Sequence, residues 1–365
     1  MKNIAKKEYF PSLNGLRAIS ILMVLLCHIN LQDHIFSFVD SDKSNKYYFL
    51  KPLLDVFANG ALGVNVFFVI SGFLITSLLL KEEGKTGTIS LKKFYTRRTL
   101  RIFPAYYFLL LFYFVMQCVG VIHLSHISWI TAVTYTSCFN VTANEWPTLH
   151  VWSLSVEEFF YLCWPLIFLV FKKQRTFVLL GLIVAAIVFK VYAQHYKPTV
   201  GFFPVALVVR GDAISMGCLF AIHKDRILAF LTSRWYVGVL AFFVLFGWIY
   251  SYEFIVIQHQ VKLGMVYVPL GVADGIVADT AIAVIMFYAI YGPKNLFHKF
   301  LNNKIVNWIG LLSYSLYLWQ QFFTIDKPNF YFRFPLNVLL IFAVASFSHY
   351  CIERPFLKLK KRFEV

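Results

Sequence analysis

Two ionisable side chains interrupt the apolar stretch LNGLRAISILMVLLCHIN: Arg17 near its start and His28 near its end. Eleven residues at about 100° each make nearly three full turns, so on a helix both groups share one face, roughly 16 Å apart along the axis. Ionisable groups at membrane depth are costly, and they read as functional by default. An imidazole can take a proton from a hydroxyl near neutral pH, and a carboxylate beside it would orient it. His28 is therefore either a general base or a structural histidine bonded between helices. Arg17 is either a phosphate ligand or a topology charge whose side chain reaches the inner headgroups.

Other residues invite the same question. Glu157 and Glu158 stand together in WSLSVEEFFYL, and adjacent carboxylates inside a span read as functional. Arg97, Arg98 and Arg101 cluster in FYTRRTLR. Arg98 and Arg101 lie one helical turn apart, a spacing that suits bidentate capture of a pyrophosphate, although positive charge on an inner loop accounts for them equally well. Arg210 and Asp212 either neutralise each other or pair elsewhere. Ser71 lacks a G-x-S-x-G elbow and is weak as a nucleophile. Tyr314, Tyr317, Trp319 and Gln320 in SYSLYLWQQ read as packing or pore lining. Asp274 and Asp279 read as solvated near one end of their span. The six cysteines form no CxxC pair and the histidines show no metal-ligand spacing, so neither a disulfide framework nor a metal is expected.

These groups must be carried by membrane helices. Of 365 residues 59% are hydrophobic and 14% charged, and the mean hydropathy is +0.67. Long runs such as FYLCWPLIFLVF do not alternate, which excludes a barrel and predicts an all-α integral membrane protein. Ten spans are expected, near 14–32, 61–80, 102–122, 150–171, 176–193, 204–222, 235–252, 267–291, 305–324 and 335–352, in a single membrane domain over 1–365 with no cleavable signal. The apolar segment 127–139 is short for a crossing and is expected to be re-entrant or interfacial. With the N-terminus inside, 25 of the 34 basic residues fall on inside segments, so both termini are expected in the cytoplasm. The net charge of +16 follows from topology and anionic lipid rather than nucleic acid, for which no soluble basic module exists. Counting rise per residue puts His28 roughly 18–20 Å from the inner boundary of a ~30 Å core, with Glu157, Arg210 and Asp212 at a similar depth. Glu157 is then the expected carboxylate partner of His28.

Taken together, the motifs LNGLRAISILMVLLCH, GVNVFFVISGFLIT, FYTRRTLRIFPAYY, HVWSLSVEEFFYLCWPL, RGDAISMG, SYSLYLWQQ and IERPF resemble the bacterial acyltransferase-3 family of membrane O-acyltransferases. The resemblance implies acyl transfer, acetyl by default, from cytoplasmic acyl-CoA as cosubstrate to a hydroxyl of an extracytoplasmic glycan or polysaccharide precursor, at the bacterial inner membrane. It implies that His28 is the essential histidine of an Arg-x10-His motif with Arg17, that Arg98 and Arg101 serve the acyl-CoA side as an Arg-x-x-Arg motif, and that Glu157 is the family's span-4 acid. Arg210, Asp212, Ser71 and Tyr314 are candidate pore or acceptor contacts, Arg210 also being a guess for the oxyanion stabiliser. Many relatives have His where Gln320 stands, so position 320 is not expected to be an obligatory base. Some relatives append an SGNH hydrolase-like domain; this chain ends at Val365 without one, and transfer is expected to be completed by the membrane domain or a separate partner. The alternatives are a transporter or flippase, against which the lack of an inverted hydropathy repeat counts, and acyl transfer to a small molecule or lipid.

Overall fold

A computed structural model describes residues 10, 12–29, 56–139, 145–196, 205–252, 264–325 and 329–363, with the side chains within 193–209 and 251–274 excepted. The polar segment expected between the first two spans falls outside these residues. The described chain is helical throughout. The long elements are α1 (Leu13–His28), α2 (Gly60–Thr86), α3 (Leu91–Cys118), then the short α4 (His126–Val133), α5 (Val151–Val170), α6 (Arg175–Tyr196) and α7 (Val205–Ile222). They are followed by α8 (Lys224–Thr232), α9 (Tyr236–Tyr252), α10 (Gly264–Tyr291), α11 (Leu296–Leu301), α12 (Lys304–Phe323), α13 (Leu336–Phe347), a π-helical turn (Ser348–Glu353) and α14 (Arg354–Lys360).

Five of the described helices are long and apolar enough to cross a membrane, or six if α8 and α9, bent by 102° at their junction, form one span. The expected number was ten. Among the described residues α1 falls short by its length of 16 residues, and α12 by its polar groups, Gln320 and Gln321 among them. The polar residues of α12 lower the mean hydropathy of its run, whereas the first turn of α7 lies outside the described side chains. Helix α4 has only 8 residues, about 12 Å of rise, and does not cross a bilayer.

The polar helices are also the central ones. Helix α1 packs on α2 and α12, and α2 packs most extensively on α7. Small residues permit this approach: a Cβ on Gly72 would lie 2.1 Å from the Ile214 carbonyl oxygen, and one on Gly217 equally close to that of Val69. Ile21, Val69, Phe73 and Leu79, each fully buried, fill the layer between them. Helices α2 and α3 are joined by a tight turn, with Gly87 at φ 76° closing α2 and the Ser90 side chain capping α3. The basic loop expected over 81–101 is therefore mostly helix, and Arg97, Arg98 and Arg101 project from the rigid early turns of α3.

Candidate active site

Helix α3 sorts its arginines by face. Arg97 donates to Glu82 Oε2 at 2.9 Å and to the Phe363 carbonyl, while Glu82 Oε1 accepts the Ser90 backbone N–H at 2.8 Å. This clasp ties the α2–α3 turn to the end of the described chain, so Arg97 is structural. Arg98 and Arg101, three residues apart, share the next face and line a cleft together with Arg17 of α1. The cleft encloses about 820 Å³ of empty space, its open mouth included.

Its other polar walls come from α2, α5 and α12. Glu157 accepts hydrogen bonds on Oε1 from Ser71 Oγ and from Tyr161 OH, the latter at 2.7 Å and one helical turn along α5. Tyr161 also forms the face over which the Arg98 guanidinium sits, 5.1 Å from the ring centroid. Tyr314 donates to the Ile102 carbonyl at 2.8 Å. Glu158 lines the cleft beside Glu157. Among the described residues, none of Arg17, Arg98 and Arg101 makes an ion pair with a carboxylate. Three guanidinium groups gathered against two carboxylates leave the cleft with an excess of positive charge and a geometry suited to a phosphorylated ligand.

His28 lies at the far end of α1 in a different environment. Its Nδ1 is 3.0 Å from Gln320 Oε1, and its ring meets the Trp146 ring edge-on at 5.8 Å. An amide oxygen can only accept, so this bond places a proton on Nδ1 and leaves the Nε2 lone pair available as a base. His150, at the N-cap position of α5, is near enough to His28 to interact electrostatically. The two environments meet at Tyr317, which lines the cleft, bonds Ser153 Oγ at 2.5 Å and donates to the His150 carbonyl at 3.1 Å.

The expected pairing of His28 with Glu157 is thus not the one the structure makes. His150 occupies the level of His28 on α5; Glu157 is seven residues, about 10 Å, further along the helix, with the arginines. Arg210 and Asp212 do not pair with each other: Arg210 donates to Asn65 Oδ1 at 2.8 Å and Asp212 pairs with Lys190. Neither lines the cleft. Asp279, expected to be solvated, is 1% exposed, and the side chain of Asp274 lies outside the described residues. Lys190, His150 and Trp146 are absent from the residues expected on sequence, and Gln320 is expected only as packing or pore lining. Of these, Lys190 alone carries a usable signal, as a lone charge in an apolar span.

The C-terminal motif IERPF acts on the site from behind. Glu353 accepts from Ser315 Oγ of α12 and faces His349 Nδ1 at 3.0 Å, all three being buried. This anchors α12, from which Tyr314, Tyr317 and Gln320 project.

Comparison with known proteins identifies the family. The family model described as an acyltransferase domain, acyltransferase-3, matches residues 10–352. O-acetyltransferase OatA of Staphylococcus aureus (strain NCTC 8325 / PS 47) is 27% identical over 411 residues, covering 98% of this chain and 59% of the relative. Peptidoglycan O-acetyltransferase OatA of Listeria monocytogenes is 25% identical, covering 96% of this chain and 56% of the relative. This chain therefore spans less than two thirds of the length of these curated relatives. No solved structure matches it. The chain belongs to the acyltransferase-3 family of membrane acyltransferases.

Proposed function

We propose that the protein O-acetylates a glycan, taking the acetyl group from acyl-CoA bound at the Arg17–Arg98–Arg101 cleft and delivering it to a sugar hydroxyl at His28. The observation that carries this reading is the concentration, at one end of α1, of arginines that form no ion pair with a carboxylate among the described residues, and an oriented imidazole at the other. The nucleotide phosphates would rest on Arg98 and Arg101 with Arg17 beside them. The reactive end must then reach about 16 Å along α1, a distance of the order of an extended pantetheine arm. His28 Nε2 accepts the proton of the acceptor hydroxyl as its oxygen attacks the thioester carbonyl carbon. The carbon–sulfur bond breaks, the acetyl group stays on the sugar oxygen, and the thiolate leaves with the proton from the imidazolium. Gln320 acts through His28 as a positioning residue. Glu157, bonded to Ser71 and Tyr161, holds the cleft wall on which Arg98 is seated.

The glycan acceptor is supported by the relatives, one of which is named a peptidoglycan O-acetyltransferase. The cationic cleft faces the cytoplasm and the His28 end the opposite side, as the basic-residue asymmetry favours, in a bacterial inner membrane. Inside-out vesicles supplied with radiolabelled acetyl-CoA are expected to yield acetylated glycan. Vesicles that move intact acceptor without acetylating it would overturn the reading.

A further inference from the structure

We propose that Trp146 is the platform on which a sugar ring of the acceptor stacks, with the hydroxyl to be acylated presented to His28. The inference rests on the glycan reading above and adds to it where on the protein the acceptor sits.

Trp146 is 40% exposed, yet its backbone is held from several sides. It opens the short 3-10 turn Trp146–Thr148 that leads into α5. Tyr113 OH, buried in α3, donates to the Pro147 carbonyl at 2.9 Å. Thr148 Oγ1 donates to the Glu145 carbonyl at 3.3 Å, and Glu145 Oε1 accepts the Ser125 backbone N–H at 3.0 Å. A large aromatic side chain is thus partly exposed on a stiff turn, in T-shaped contact with the candidate base. The apolar C–H face of a pyranose suits such an indole, and little conformational entropy is lost because the platform is already ordered.

A second observation concerns the other neighbour of the same imidazole. Gln320 is fully buried, its Oε1 is engaged by His28, and its Nε2 has no hydrogen-bond partner among the described residues. An amide donor left unsatisfied costs free energy unless something accepts from it. A ring stacked on Trp146 would carry hydroxyl and ring oxygens at its rim, where one could accept from Gln320 while another donates to His28 Nε2. A Trp at a membrane boundary can instead serve as an interfacial anchor, and the experiment separates the two roles.

The protein purified in detergent is assayed with acetyl-CoA and a soluble β-1,4-linked N-acetylglucosamine oligosaccharide. Trp146→Ala is expected to raise the acceptor KM roughly tenfold, with kcat and the acetyl-CoA KM held. Trp146→Phe should retain most of the affinity. Trp235, 71% exposed in the turn between α8 and α9, supplies the control for a generic anchor, and Trp235→Ala should leave all constants unchanged. An unchanged acceptor KM in Trp146→Ala, whether kcat falls or not, overturns the platform and leaves the glycan reading intact. Wild-type protein that does not acetylate the oligosaccharide overturns that reading and the platform with it.

Discussion

At the Arg17 end of α1 the site is charged. Three guanidinium groups face two carboxylates, and Ser71, Tyr161, Tyr314 and Tyr317 all have their hydroxyls engaged. At the His28 end the chemistry is neutral: an imidazole, the amide of Gln320 and the indole of Trp146, with an amide donor left over. A cationic cleft discriminates by charge and suits a phosphorylated donor, whereas neutral donors and acceptors beside an aromatic face suit a hydroxylated acceptor. One helix of 16 residues thus connects two recognition problems that share few groups, and Tyr317 stands at their boundary.

Substitutions at the two ends should therefore separate cleanly. The largest effect is expected for His28→Ala, which should lower acetyl transfer by about 10²–10⁴ while acetyl-CoA affinity, measured by equilibrium binding in detergent, stays within about twofold. A parallel loss of donor affinity would erase the distinction between the two ends. Arg98→Ala and Arg101→Ala should do the reverse, raising the acetyl-CoA KM about tenfold to a hundredfold with the acceptor KM unmoved. If the two share one phosphate group, the double variant should lose less than the sum of the single losses, because the groups act as a unit. Gln320→Ala should lower kcat roughly tenfold, since it frees the imidazole without removing it, and raise the acceptor KM, since the amide donor is lost, with the acetyl-CoA KM held. A rise in the acetyl-CoA KM instead would place Gln320 with the donor and blur the two ends.

The helical class was legible because apolar runs longer than a globular core helix are rare outside membranes. Most helix boundaries agree with the expected spans to a few residues, as at 205–222 against 204–222 and 151–170 against 150–171. The exception is the loop expected over 81–101, where Lys and Arg suggested solvent although Ser90 and Gly87 supply ordinary helix caps. Depth along a helix follows from rise per residue, but the axial offset between neighbouring helices does not. The level at which Glu157 meets α1 is therefore displaced by about two turns from the expected one. Gln320 was illegible for a different reason. A neutral amide in an aromatic-rich span carries no cost large enough to stand out, and its importance comes entirely from meeting His28 across 292 positions of sequence. Arg97 and Arg98 are neighbours of one type, and only the presence of Glu82 on the facing turn tells the clasp from the cleft.

The smallest catalytic effect is expected where a carboxylate is deeply buried but serves neither end. Glu353 accepts from Ser315 and bonds His349 in a site closed to solvent. Glu353→Gln keeps an oxygen for Ser315 and offers an N–H to the imidazole, so transfer should change less than about twofold. Glu353→Ala leaves the hydroxyl and the ring nitrogen without partners at a cost of about 1–3 kcal/mol each, and should appear as a lowered Tm in a thermal melt of the detergent-solubilised protein. Any fall in kcat for the alanine variant should then track the loss of folded protein. A glutamine variant that stayed folded but lost transfer would mean that this carboxylate belongs to the chemistry. The two-ended description would then need a third polar site behind α12.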